Sequence, residues 1–460
     1  MDTINPLYFL GSPTYGNSVS SHSLRFIDML DYFFISRPDS GKKEGEEHKR
    51  NMFFFPKSES VEKQTEMTGF AEAASNFTEN FLCPEELEQA TKEEFEFRSV
   101  STQKTEHVLI MVEKSEFMIG IIVSKHLAEI SSYPLFIPTI RSLVVNAYKT
   151  FRLFFGTFAS LRNIDEVKFK ERLDFFFTRY IPLLKLHKNP LLDHLGGVEF
   201  QRLDGPTYLN VVSLMNELCE EFPLVEKVMF LYQDKLLYYT VASDDLTCIF
   251  RYLTDNLLPT SIGPELEASK SNVKGRYLRG PVDLNSDQLL IGDESLPTVF
   301  LHTEDYVGDE KVVSVQKFNM IVYRCMNSTV CMFVKQSGEQ NLVTRRILRN
   351  IDAYMDTEII KLASRIGDYV DKSSDHGKSW IDFHYIYFNP ESHSMLSTLS
   401  SKKIPTDNSS LAKLPFPPVE VNRLCCESYA QYIDNEDEFG ECFVKTESDW
   451  WIVIKKMNSR

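Results

Sequence analysis

Tryptophan is scarce, with 3 among 460 residues, and no CxxC spacing joins any of the 8 cysteines. That missing spacing removes the usual zinc-ribbon and dithiol signatures. Cys83, Cys219, Cys248, Cys325, Cys331, Cys425, Cys426 and Cys442 are scattered among apolar residues and read as reduced, buried thiols of a cytosolic chain. No stretch reaches about 18 uninterrupted apolar residues, which excludes a simple helical membrane span. The first residues, MDTINPLYFLGSPTYG, lack the basic start and apolar run of a signal peptide, so a cytoplasmic location is expected. Basic residues are in deficit, 50 against 66 acidic, and the net charge of -16 repels phosphate backbones. It excludes an electrostatic funnel for nucleic acid and disfavours whole-protein attraction to anionic membranes, leaving that role to a local patch or another subunit.

Chemical motifs are missing as well. There is no GxxxxGK[ST], no GxGxxG after a strand, no HExxH and no GxSxG, and no two of the 10 His lie four residues apart on a helix face. The acidic run 434–441 alternates Asp434, Glu436 and Glu438 like a calcium loop, but Phe439 stands where the turn needs glycine and Lys445 where a bidentate Glu should close the shell. It reads as a solvated turn. Gly196-Gly197, and Gly275 with Gly280, read as turn punctuation, and Cys425 as part of an apolar helix stripe. The sequence therefore assigns no catalytic residue, no metal and no cofactor.

What is abundant is aromatic residue, 34 Phe and 20 Tyr, in a chain long enough for roughly three domains. Residues 1–24 read as an irregular extension. Short aromatic strands at 31–37 and 51–56 flank a charged loop, and the spacing of Phe70, Ala74, Phe77 and Phe81 predicts a helix with those residues on its inner face. Thr68, Glu72, Ser75, Asn76 and Glu79 then form its outer, polar face. Strands follow at 94–100, 107–114 and 117–124. A helix opening at Pro138 carries the stripe Ile140, Val144, Ala147, Phe151, Phe154 and Phe158, and Asn163 with Glu166 caps a second helix. The break at 187–197 ends this unit. Strand and helix patterns then recur to about residue 370, after a helix with Tyr208, Val212, Met215, Cys219 and Phe222 on one side. A polar linker at 371–379 leads to a smaller unit: a strand at 380–389, a helix marked by Val421, Leu424, Cys425, Ser428 and Tyr432, and a closing hairpin.

The strand, strand, helix, three strands, two helices order resembles a longin domain. The strings FFISRPDSGKKEGEEHKRNMFFFP, TGFAEAASNFTENF, FFGTF, KERLDFFFTRY, LLDHLGGVEF, RYLRGPVDLN, IVYRCMNSTVCM, YIYFN and SDWWIVIKK resemble segments of the Ccz family, in order, from about residue 30 to 455. The resemblance implies an α+β protein of three longin-type domains, at 25–190, 191–370 and 371–460, each a mostly antiparallel five-stranded sheet packed by helices. The third is expected to be shortened, with a less covered strand edge near 450–455. It also implies a regulatory, non-hydrolytic subunit that pairs with a Mon subunit, with room for a third regulatory subunit. The pair loads GTP onto a late-endosomal Rab GTPase and meets endosomal, phagosomal or lysosomal membranes peripherally through the complex. On that footing Thr68, Glu72, Ser75, Asn76 and Glu79 are candidates for GTPase contact, and Phe95 and Phe97 for pairing with Mon. The alternative is a longin scaffold without exchange activity, as in Inturned and Fuzzy; the Hermansky-Pudlak longin pair is a nearer rival.

Overall fold

The computed structural model describes residues 23–38, 40–41, 43, 45–79, 95–259, 275–278, 297–307, 310–336, 343–376, 383–399, 415–435 and 440–457. The chain builds three successive α/β units. In the first, β1 (Ser23–Arg25), β2 (Leu30–Ser36) and β3 (Asn51–Phe55) precede α1 (Val61–Glu79), and β4 (Glu96–Ser101), β5 (Thr105–Val112) and β6 (Phe117–Ser124) follow. Five of these strands form one antiparallel sheet in the order β3-β2-β6-β5-β4. The central strands β5 and β6 are apolar on both faces because both faces are covered. Leu109, Met111, Met118 and Ile122 meet α1 on one side. Val108, Ile110, Ile119 and Ile121 meet the helices that come next, α2 (Lys125–Ile130), α3 (Ile137–Phe155), α4 (Phe158–Ile164) and α5 (Glu166–Tyr180), on the other.

Pro138 does sit in the first turn of α3, and Gly156 ends that helix at φ 86°. The cap of α5, however, is Asp165 rather than Asn163. Asp165 Oδ1 accepts from the amides of Val167 and Lys168 at 3.0 and 3.2 Å, while Asn163 is still inside α4. Helix α3 also serves two cores. Ile140, Val144, Ala147 and Phe151 point into the first unit. Phe154, which the stripe assigned to the same face, packs instead with Leu153 on the second unit, its ring 4.8 Å from that of Tyr252.

The connection between units is a structured hub: β7 (Lys185–His187), α6 (Pro190–Leu195) and β8 (Val198–Glu199). Strand β7 pairs β1, and the carbonyl of Pro190 accepts from Thr139 Oγ1 at 2.8 Å. Asp193 accepts from both the backbone amide and Nδ1 of His187, at 2.7 and 2.9 Å. Burial pushes the His187 imidazole down, but the charge and hydrogen bond of Asp193, with Asp255 from the second unit, outweigh that and Arg251 and hold it above its usual value. The folded state therefore binds the proton more tightly than the unfolded chain. Its contribution is complete below the ordinary histidine value of about 6.5 and is lost as pH rises through the elevated folded value. Amide exchange in 185–195 should thus be slower at pH 6 than at pH 8, after correction for intrinsic rates. His187→Gln should abolish the difference; a difference that survives it sinks the assignment.

The second unit comprises α7 (Gly205–Glu221), β9 (Val225–Tyr232), β10 (Lys235–Tyr239), α8 (Ser243–Arg251) continued by a π-helical turn at Tyr252–Leu257, β11 (Arg276–Leu278), β12 (Thr298–Val307), β13 (Glu310–Cys325), β14 (Ser328–Lys335) and α9 (Arg345–His376). Its sheet runs β10-β9-β14-β13-β11, with β12 also on β13. One face meets α8 and the other α7 and α9. Here α7 buries Val211, Leu214, Met215 and Leu218, one step around from the expected stripe, and Tyr208 is exposed. Helix α9 runs on to His376, so 371–376 is helix and not linker.

The third unit contains β15 (Ile386–Asn389), β16 (Ser394–Ser397), α10 (Val419–Asp434), β17 (Glu441–Lys445) and β18 (Trp451–Lys455). Strand β15 is shorter than expected; residues 377–382 lie outside the described set, as do 400–414 and 436–439 of the acidic turn. In α10 the buried thiol is Cys426, with Val421, Asn422, Ser428 and Tyr432, whereas Cys425 is only half-buried. This unit borrows a strand: β8 of the hub pairs parallel with β16, and Val198 N donates to His393 O at 2.7 Å. Buried Asn189 donates to Asn422 Oδ1 at 3.1 Å beside it. Gly197 permits the approach, since a Cβ there would stand 2.3 Å from Met395 Cβ and 3.2 Å from the Phe388 ring. Gly197→Val should pull β8 off β16 and speed exchange of the Val198 amide by about tenfold or more; unchanged exchange by mass spectrometry refutes the clasp.

Candidate functional site

Helix α1 begins after Ser60, whose Oγ accepts from Lys63 N at 3.2 Å. Its inner face is not the aromatic one. Thr68, Ala71 and Ser75 are buried against Phe34, Phe54, Leu109, Met111 and Met118, with Met67 and Ala74 at the margin. Phe70 and Phe77 are 42% and 63% exposed, which reverses the expected facing. The sheet already supplies the bulk in Phe34 and Phe54, so the helix can lie close only by presenting small residues. Thr68 satisfies its hydroxyl by donating to Gln64 O at 3.0 Å.

The named candidates are therefore split by the structure. Thr68 and Ser75 lie under the helix and are not available for contact. Glu72 is half-buried and accepts from Arg50 Nη1 at 2.5 Å, a pair that together with Asn51 Nδ2 donating to Gln64 Oε1 at 2.7 Å ties α1 to the start of β3. Only Asn76 is on the exposed side; the Glu79 side chain lies outside the described residues. The outer ridge is instead Glu62, Glu66, Phe70, Ala73 and Phe77, acidic at its start and aromatic at its end, with Val61 58% exposed. Phe70 leans on His107, ring centroids 5.2 Å apart. Burial, opposed by Glu106, holds that imidazole below its usual value, so the ridge carries no positive charge at this point near neutral pH.

Strand β4 is an edge of the sheet, but its Phe97 and the preceding Phe95 turn inward. Phe95 is buried, its ring 5.8 Å from that of Tyr148, and Phe97 lies under the Arg141 guanidinium at 5.1 Å. Arg141 Nη2 also donates to Phe95 O at 3.2 Å. Phe95 and Phe97 thus seat β4 under α3. What the edge offers outward is its backbone, as does β3 at the other end of the sheet.

Elsewhere, titratable pairs serve as latches. Asp245, in the first turn of α8, accepts from the backbone amide and Nδ1 of His302, both at 2.7 Å, repeating the Asp193–His187 arrangement. Glu113 accepts from Tyr148 Oη and from the amides of Phe158 and Ala159 at 2.6–2.8 Å, capping α4. Among the described residues no three His, Cys, Asp or Glu side chains gather as metal ligands. A cleft of about 230 Å³ between α9 and the turn at Met326-Asn327, lined also by Tyr232, Gly367 and Asp368, is smaller than usual ligand pockets.

Comparison with known proteins matches these units one by one. Residues 30–156 match a family described as the first longin domain of INTU, CCZ1 and HPS4, residues 225–356 Intu longin-like domain 2, and residues 381–460 Intu longin-like domain 3. The chain is 29% identical over 458 residues to the vacuolar fusion protein CCZ1 homolog of Xenopus laevis, covering 95% of this chain and 91% of the relative. It is 28% identical over 453 residues to that of Danio rerio, covering 93% and 88%. The Dictyostelium discoideum protein of the same name is 23% identical over 449 residues, covering 94% and 90%. With three longin domains matched in register and relatives aligned along nearly their whole length, the chain belongs to the CCZ1 family of three-longin proteins.

Proposed function

We propose that this chain is the Ccz-type subunit of a heterodimeric guanine-nucleotide exchange factor, which with a Mon subunit activates a late-endosomal Rab-seven-type GTPase. The coarser statement, a vacuolar-fusion and membrane-trafficking protein, follows from the full-length likeness to vacuolar fusion proteins, and that likeness is the observation that carries the reading. Exchange of this kind requires no side chain doing acid or base chemistry. The factor binds the nucleotide-free, open GTPase more tightly than the GDP-bound one, and by linkage nucleotide affinity falls by the same factor. The first longin domain suits such a task, with a protruding aromatic ridge on α1 and backbone edges at β3 and β4 for a second subunit. No described helix is long and apolar enough to cross a membrane, so on this reading the complex works in the cytoplasm and is recruited peripherally.

The test is release of a fluorescent GDP analogue from a late-endosomal Rab, with this chain alone, with Mon alone and with the co-purified pair. Acceleration by the pair alone supports the proposal. A stable pair that accelerates release from none of several Rabs leaves the longin scaffold, a reading kept open because the first-domain family also spans INTU and HPS4.

A further inference from the structure

Helix α9 and the turn between β13 and β14 enclose the cleft of about 230 Å³, and Tyr232, the last residue of β9, lines it between them. The turn is fixed to β9: Asn327 O accepts from Gln233 N at 2.6 Å, and Ser328 pairs with Tyr232 in the sheet. Met326 takes φ 53° in this turn, a left-handed conformation unfavourable for a non-glycine residue, and borders the cleft half-exposed. Across from it, Ala363, Gly367, Asp368 and Asp371 share one side of α9.

The chemistry of this lining is one-sided. Tyr232 is only 5% exposed, yet among the described residues its hydroxyl has no hydrogen-bond partner. A Cβ on Gly367 would stand 3.1 Å from that oxygen, so the glycine leaves the hydroxyl open to the cleft. A buried hydroxyl left unbonded is costly, and this one faces a space that a ligand can enter. Asp368 is exposed on the same side and pairs with no cation among the described residues, and no Lys, Arg or His lines the cleft. A ligand there meets negative charge, one free hydroxyl and the apolar flanks of Met326 and Ala363.

We propose that this cleft binds the guanidinium of an arginine side chain held in peptide linkage. The Asp368 carboxylate accepts two of its N–H groups, Tyr232 Oη accepts a third, and Met326 and Ala363 flank the methylene stem. Arginine carries five donors in a fixed plane and serves acceptors on two walls at once, whereas the lysine ammonium is more strongly hydrated and enters at a greater desolvation cost. The volume suits one side chain and falls below that of a cofactor pocket. Asp371 and Asp368 together disfavour free arginine, whose α-carboxylate they repel; in a peptide that group is an uncharged amide. The site lies on the second unit, not on the α1 ridge, and does not depend on the exchange-factor reading.

The experiment is a titration of the full chain with N-acetyl-arginine methylamide, followed by saturation-transfer NMR at about 0.15 M salt. Saturable binding with a Kd of about 1 mM is expected, weak because a single side chain is engaged. The citrulline analogue, equal in shape but uncharged, and free arginine should each bind about tenfold or more weakly. Tyr232→Phe and Asp368→Asn should each weaken probe binding by about tenfold or more. Both variants should keep the thermal transition, since Asp368 is exposed and the Tyr232 hydroxyl gives up no bond within the described chain. A tyrosine serving only to fill the core would leave binding unmoved. No saturable binding up to about 50 mM, equal binding of citrulline, or binding unchanged in both variants overturns the proposal. So does tighter binding of free arginine or of N-acetyl-lysine methylamide. Displacement of the probe by calcium chloride at about 1 mM makes the cleft a metal site and overturns it as well. None of these outcomes touches GDP release by the pair.

Discussion

Alanine at Gly120 is expected to destabilise the first domain by about 3 kcal/mol or more, the upper part of the range for overpacking a filled core. Gly120 lies opposite Phe34 across the β2–β6 pair, and the Phe34 ring folds over it. A Cβ there would stand 2.1 Å from Phe34 Cζ and 2.5 and 2.6 Å from its two Cε atoms. The ring has nowhere to go: Phe34 is fully buried, stacked at 6.2 Å on Phe54 and closed over by Ala71 of α1. Since a domain of this size loses roughly 2–4 °C per kcal/mol, the transition that melts the first domain should fall by about 6 °C or more. Phe34→Ala alone leaves a cavity and costs about 3–5 kcal/mol. In the double variant the new methyl enters that cavity, so Gly120→Ala should add almost nothing to Phe34→Ala. Calorimetry showing additive effects, or no shift for Gly120→Ala, refutes the packing argument.

The second large effect concerns the exposed ridge. Phe70→Glu/Phe77→Glu should leave the thermal transition nearly where it is, because surface substitutions usually move stability by less than about 0.5 kcal/mol. It should nevertheless reduce pair-stimulated GDP release by about thirtyfold or more, the loss expected when buried aromatic anchors of an interface worth about 2 kcal/mol or more are removed. Glu72→Arg provides the contrast. It sets two guanidinium groups together where Arg50 and Glu72 now pair half-buried, so it should lower the melting transition first and exchange only through the tilt of α1. Normal GDP release by the double Phe variant, in a stable pair, removes the α1 ridge as a contact surface.

The order of elements was legible because each strand and helix carries its own period. β5 and β6 read as central from their continuous apolar runs, and they are. The break at 187–197 read from its proline and glycines, and Gly196 does end α6 there at φ 61°. The candidate surface was legible only as a helix in the right place. Which side of α1 faces in could not be read from its own residues, because Phe70 and Phe77 make as regular a stripe as Thr68, Ala71 and Ser75. The deciding information sits on β2 and β3, where Phe34 and Phe54 fill the space the helix would otherwise have to fill. The same holds for Phe95 and Phe97, drawn under α3 by Arg141 and Tyr148 from 40 or more positions away in sequence.

By itself, then, the sequence determined composition-level and local facts: an acidic chain without long apolar runs, the alternation of strands and helices, and the punctuation between units. These depend on neighbours within a turn or a strand. Tertiary structure alone decided the facing of α1, the sharing of α3 between two cores and the loan of β8 to the third unit. Each of these is a competition between faces for a limited buried volume. The winner is set by the size of side chains far apart in sequence, which no local period records.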